Sequence, residues 1–179
     1  MVCPRCIDTV REIFRDIEVP VKSVQLGEVV TVDAISESQK SNLEEKLFAR
    51  GFELLKDQKT QLIAQIKAIV IKHVHFPEEY STTNFSIVLS EQLNHDYSWL
   101  SKLFSSVEGI TIEKYIVKQR IERAKELIFY NEFNLSEIAY KLGYSNVGHL
   151  SSQFKKETGM TPSAFKGLKN PGRKPLDKI

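Results

Sequence analysis

No stretch of this chain is long and apolar enough to cross a membrane, and no secretory leader precedes the folded pattern. The expected compartment is therefore the cytoplasm, with no membrane partner. A phosphate-cradling glycine loop is also missing, and the hydroxyl, imidazole and carboxylate groups form no recognisable catalytic motif. The expectation is a protein that is not an enzyme and requires no cofactor. With two cysteines, the chain has half the thiolates of a four-ligand structural zinc site. A net charge of +2 is weak for a nucleic-acid binder. What the chain does have is 41% apolar content over 179 residues, enough for one large or two small cores.

The second half repeats itself. Ser90, Leu93, Leu100, Phe104, Gly109, Thr111 and Tyr115 are answered by Ala139, Leu142, Leu150, Phe154, Gly159, Thr161 and Phe165, the first two pairs at an offset of 49 and the others at 50. Such a match marks a duplicated structural unit, with one residue of difference in the turn between Leu93 and Leu100. Each copy reads as helix, turn, helix. In the later copy Asn134 to Glu137 has the form of a capping box, Ile138 and Leu142 give one apolar stripe, and Gly143 stops the helix. After the turn, Leu150 and Phe154 share a face. Gly159 ends this second helix, and Thr161-Pro162 starts another with an N-cap and proline at the first helical position.

Between the copies Val117, Ile121, Ala124, Leu127 and Ile128 recur at spacings of three and four, predicting a helix from Ile112 to about Tyr130. Nineteen residues at about 1.5 Å each span roughly 28 Å, close to the roughly 34 Å between successive major-groove faces of B-DNA. One connecting helix is thus long enough to hold two readers on one side of a duplex.

The run Arg120 to Leu127, then Leu135 to Tyr144, then Leu150, Phe154-Lys155-Lys156, Gly159 and Thr161-Pro162 closely resembles the AraC/XylS-type DNA-binding domain, over roughly residues 74 to 168. The resemblance implies a bacterial transcription regulator whose two helix-turn-helix units insert into adjacent major grooves of double-stranded DNA, with RNA polymerase as a possible further partner. Subtracting core positions leaves Tyr97, Ser98, Ser101, Lys102 and Ser105 outward on the first recognition helix, with Leu103 inward. On the second, Asn146, Val147, Gly148, His149, Ser151, Ser152, Lys155 and Lys156 are the DNA-binding candidates. Lys102 stands where the family usually has a basic reader. Ser152 stands where many members carry Arg, and Gly148 costs about 1 kcal/mol relative to Ala inside a helix. The second helix is therefore expected to read by shape, water or small hydroxyls. Trp99 is expected to pack against the neighbouring helix, with stacking over the sugar-phosphate backbone as the alternative. Arg120 and Arg123 suit either phosphate contact or ion pairs with Glu113, Glu122 or Glu126. Residues 1–75 balance eleven basic against eleven acidic side chains, whereas 146–179 carry seven basic against two. The excess includes a basic tail over residues 169–179.

The first 58 residues are organised differently. Ile7, Val10, Ile13, Phe14 and Ile17 predict an amphipathic helix; Val21–Gln25 and Glu28–Asp33 predict a hairpin turning at Leu26-Gly27. Ser41–Arg50 reads as helix and Phe52–Leu55 as a last strand. That order is a ferredoxin-like domain lacking its first strand, so the expected class is α+β: a small α/β domain followed by an all-α double helix-turn-helix. Met1-Val2-Cys3-Pro4-Arg5-Cys6 resembles the metal loop of heavy-metal-associated domains, which implies Cys3 and Cys6 as ligands for a soft ion such as Cu(I). His73 and His75 would complete a set of four, although the apolar side of their helix explains them more simply. The alternatives are a redox pair, or a vestigial loop on a domain kept for dimerisation or small-ligand sensing. An unpaired sheet edge is normally covered, so the natural product is expected to start upstream of Met1, or else the edge pairs with another chain. Residues 59–76, with Leu62, Ile63, Ile66, Ile69, Val70 and Val74, predict a linking helix that Pro77-Glu78-Glu79 ends. It separates a regulatory domain (1–58) from a DNA-binding domain (77–168), and it or the first domain offers a homodimer surface. The competing reading is a metal-handling or thiol-redox protein whose helical half docks a protein partner.

Overall fold

A computed structural model describes residues 1–55, 57–77 and 84–168. The chain divides into two compact units, residues 1–69 and 70–179. The first contains helix α1 (Pro4–Asp16), strands β1 (Val21–Gln25) and β2 (Glu28–Thr31), helix α2 (Glu37–Ala49) and the first two thirds of helix α3 (Gln58–His75). Pro4 opens α1, where its missing N–H is no loss. Val10, Ile13, Phe14 and Ile17 face a core shared with Val19, Leu43 and Leu47. The strands pair antiparallel, with Val24 opposite Val29 and Gln25 opposite Glu28. Gly27 holds φ +82 at their turn, a conformation that favours glycine.

Two expectations for this unit are corrected. Helix α2 begins at Glu37, four residues before the predicted start, because Ser36 and Gln39 form a capping box ahead of the first apolar residue. Phe52–Leu55 forms no strand, and the sheet has two strands. Phe52 instead donates its N–H to Leu47 O across the end of α2 (2.9 Å), and Phe52 and Leu54 pack on the core by their side chains.

The second unit begins inside α3, whose Val70, Ile71 and Val74 are buried. It continues with α4 (Phe85–Leu93), α5 (Tyr97–Glu108), α6 (Ile112–Tyr130), α7 (Leu135–Lys141), α8 (Val147–Thr158) and α9 (Pro162–Lys166). Of the predicted helix break, Pro77 lies past the end of α3, while Glu78 and Glu79 lie outside the described residues. The duplication is visible in the packing. Leu100 and Leu150, and Phe104 and Phe154, are completely buried. Phe104 meets Tyr115 with ring centres 5.5 Å apart, and Phe154 meets Phe165 at 5.3 Å. Thr111 and Thr161 cap α6 and α9, and Gly109 and Gly159 close α5 and α8 with positive φ.

Helix α6 serves both copies and is consequently buried on more than one side. Ile112, Tyr115, Ile116 and Gln119 lie in the core, as do Ile121, Ala124, Leu127 and Ile128, the latter four packing with α7, α8 and α9 residues. Its buried charges are paired, Lys125 donating to Glu122 at 2.5 Å. Gln119 is fully enclosed and contacts His75 Nε2 through Oε1 (2.8 Å) while donating to the Tyr115 hydroxyl (2.9 Å).

Candidate nucleic-acid interface

Each helix-turn-helix presents its second helix from a capped N-terminus. On α5 the cap is Asp96, whose carboxylate accepts from the N–H groups of Ser98 (2.8 Å) and Trp99 (3.2 Å) and from the Ser98 hydroxyl. Those hydrogen bonds hold Asp96 below the usual carboxylate range. Ser98 is therefore engaged in the cap. Tyr97 donates its hydroxyl to Glu113 at the start of α6, and burial together with that bond raises the phenol above its ordinary value. Of the five outward candidates on this helix, Lys102 is exposed, Ser98 is exposed but bonded, and Tyr97, Ser101 and Ser105 are half-buried.

One expectation on α5 changes. Leu103 is half-buried, not enclosed. Trp99 is 46% exposed and lies against His95 of the turn at 4.6 Å between ring centres. The sequence reading missed His95, because nothing local marks a turn histidine as a ring partner.

On α8 the cap is Asn146, whose side chain accepts from His149 N (2.9 Å). Gly148 has a local reason: a Cβ there would stand 3.1 Å from Asn146 Oδ1 and crowd the cap. Val147 was expected to face outward, but it packs half-buried on the core. The ring of His149 meets Tyr144 edge-on at 5.2 Å, and its Nδ1 lies 3.3 Å from Ser145 Oγ. Gly148, His149, Ser152, Lys155 and Lys156 are exposed, and Ser151 is half-buried. The copies thus differ where they face outward: at the offset of 50, Lys102 corresponds to Ser152, whereas Ser105 and Ser106 correspond to Lys155 and Lys156. The basic residues Lys169, Arg173, Lys174 and Lys178 lie outside the described residues.

Helix α6 ties the readers together. Lys114 at its start pairs with Glu157 near the end of α8. Arg123 pairs with Glu126 at 2.5 Å, as the ion-pair reading expected. Arg120 lies among aromatic rings. Its guanidinium lies 5.8 Å from the ring centre of Phe85 and 5.9 Å from that of Tyr144, and burial lowers its pKa. Sequence separation hid both contacts.

In the first unit Cys3 stands at the N-cap position of α1 without a side-chain cap hydrogen bond, and Cys6 lies one turn on, their sulfurs 3.4 Å apart and both half-buried. Partial burial acts to raise the Cys6 thiol, but hydrogen bonds from the Val2 backbone, the Cys3 side chain and the Cys3 backbone outweigh it and leave Cys6 below its ordinary value. His73 meets Phe85 edge-on at 5.9 Å and His75 is committed to Gln119. Among the described residues, no three His, Cys, Asp or Glu side chains gather into a metal site.

Residues 89–167 match the family model described as a helix-turn-helix domain. The chain is 26% identical over 133 residues (74% of this chain, 52% of the relative) to the probable transcriptional regulator LumQ of Photobacterium leiognathi. It is 30% identical over 105 residues (58% of each chain) to an uncharacterised HTH-type transcriptional regulator of Pseudoalteromonas carrageenovora. It therefore spans about half the length of these curated relatives. Among solved structures, the C-terminal domain of the two-component response regulator yesN from Fusobacterium nucleatum superposes with a TM-score of 0.50 at 28% identity, covering 57% of this chain and 94% of that one.

Proposed function

Because residues 89–167 are a helix-turn-helix domain of the AraC type, we propose that this chain is a sequence-specific transcription regulator that binds double-stranded DNA through α5 and α8 in adjacent major-groove segments. The observation that carries this reading is the paired presentation of two capped helices, each anchored by a fully buried Leu and Phe and each turning lysine outward. Lys102 sits mid-helix on α5, where it suits a base edge. Lys155 and Lys156 sit toward the end of α8, where they suit phosphates. The α8 face before them offers Gly148, His149, Ser151 and Ser152, which favours readout by shape, water and hydroxyls.

The test is a mobility shift of labelled promoter fragments over a salt series, followed by sequencing of the genomic fragments that the protein retains. Binding that weakens steeply with salt and selects a common motif is expected. Retention without any sequence preference would overturn the reading.

The sensed signal in this reading is a soft metal ion or a thiol oxidant acting on Cys3 and Cys6. Two sulfurs within 3.4 Å, one held below its ordinary pKa, support it, since thiolates prefer soft ions such as Cu(I). Cu(I) titration of the chain beside Cys3→Ser/Cys6→Ser, with DNA affinity as the readout, tests it. Tight metal uptake with no DNA affinity would favour the metal-handling alternative. RNA polymerase and a second copy of the chain, joined through the first unit or α3, belong to the same proposal and are read out by sedimentation.

A further inference from the structure

The contacts of Arg120 form part of a continuous row. His73 lies edge-on to Phe85, Phe85 lies against the Arg120 guanidinium, Arg120 against Tyr144, and Tyr144 edge-on to His149. Phe85 is the first residue of the first helix-turn-helix, Tyr144 lies in the turn of the second, and Arg120 projects from the helix that joins them. Both ring centres are within the distance, about 6 Å, at which a guanidinium and an aromatic face attract. The fit is close on the second side: a Cβ on Gly143, beside Tyr144, would come 3.3 Å from the Arg120 Nη2. Gly143 also holds φ +71, which favours glycine at this turn, and a Cβ there would make the Arg120 side chain shift by a few tenths of an ångström. Two aromatic residues and a glycine, drawn from both copies, are thus arranged around one planar cation. A lysine would not reproduce this, being a compact charge that does not stack.

We infer that Arg120 is the positioning residue that fixes the two helix-turn-helix units at one separation, and so fixes the spacing between the two DNA segments they address. The inference rests on the DNA-binding reading for its consequence but not for its geometry, and the two are tested separately. Without this contact α6 still joins the copies, but the angle between them is held less tightly, and each reader keeps its own core. Linked modules gain affinity only when both engage at once. A loosened pair therefore keeps its half-site preferences and loses its preference for one spacing.

The geometry is read by spin labels on Lys102→Cys and Lys155→Cys in a Cys3→Ser/Cys6→Ser background. One narrow distance distribution is expected with Arg120 present, and a broadened one with Arg120→Ala or Tyr144→Leu. Arg120→Met, which keeps an unbranched apolar stem in place of arginine's methylenes but has neither its charge nor its planar end, carries the comparison if the alanine variant fails to fold. Tyr144→Phe is expected to leave the distribution narrow, since the tyrosine hydroxyl is buried without a hydrogen-bond partner among the described residues. An unchanged distribution in a folded Arg120→Met protein would overturn the inference. The consequence is read by selection from a duplex pool with a randomised core of about 30 base pairs, roughly three helical turns. The unaltered protein is expected to return two motifs at one spacing, and Arg120→Met the same two motifs at several. If the unaltered protein enriches no sequence, the DNA-binding reading fails while the spin-label comparison still decides the role of Arg120.

Discussion

Lys102 projects from the middle of α5, while the corresponding place on α8 is held by Ser152 and the lysines of that helix stand three and four residues later. This displacement gives the two sets of cations different work. Lys102→Ala is expected to change which sequence is preferred, whereas Lys155→Ala/Lys156→Ala weakens all sequences alike and flattens the salt dependence by roughly one unit per lysine. A uniform loss with Lys102→Ala, measured on a panel of related duplexes, would show that its role is electrostatic only. His75 behaves oppositely, as a titratable group kept neutral. Burial lowers its pKa from 6.5 to about 4, against a partly compensating hydrogen bond to Gln119. As pH falls below 6.5 the unfolded chain takes up a proton that the folded chain refuses until about pH 4, so stability is lost across that window. The loss is on the order of 2 kcal/mol by about pH 4.5. Thermal melts of the whole chain should show that slope, and His75→Gln should flatten it.

The helices of the second unit were legible in the sequence because their ends are written locally. Asn134 with Glu137, and Thr161 with Pro162, announce two starts, and Gly159 one stop. Helix α2 shows how that legibility is limited. Its first turn, Glu37-Ser38-Gln39-Lys40, holds no apolar residue, so apolar spacing is silent there and the start is marked only by the Ser36–Gln39 box. Phe52–Leu55 has strand-like composition, but a strand also needs a partner edge, which no local pattern supplies. The candidate site divides the same way. Exposure of Lys102, Lys155 and Lys156 followed from periodicity. The bond from Tyr97 to Glu113, the pairing of Lys114 with Glu157 and the rings around Arg120 join residues far apart in sequence and were invisible to it. The capping argument is testable on its own terms. Asn134→Ala removes the acceptor for Ser136 N (2.9 Å) and Glu137 N (3.0 Å), and is expected to cost about 1 kcal/mol in chemical denaturation. Phe154→Ala, by contrast, empties a core position and should cost about 3 to 5 kcal/mol.

At the scale of the whole chain, the division between units falls inside α3, between Ile69 and Val70. The end of that helix therefore belongs with the second unit: His75 is buried there against Gln119 of α6, and His73 meets Phe85 of α4. A fragment covering residues 70–179 retains these contacts, whereas one covering 77–179 loses His75 and uncovers an amide that is fully enclosed in the intact protein. The shorter fragment also loses Val74, whose burial contributes about 1.5 to 3 kcal/mol, so it should melt at a lower temperature and less cooperatively. The longer fragment is expected to bind DNA as a monomer, because two readers on one linking helix supply within a single chain what single helix-turn-helix proteins obtain by dimerising. Equilibrium sedimentation with a labelled duplex, together with a footprint, decides this: one fragment per duplex protecting two successive major-groove segments is the expected result. Protection of one segment only would mean that α5 and α8 do not engage the duplex together. Identical melting of the two fragments would mean that the end of α3 contributes nothing to the fold of the second unit.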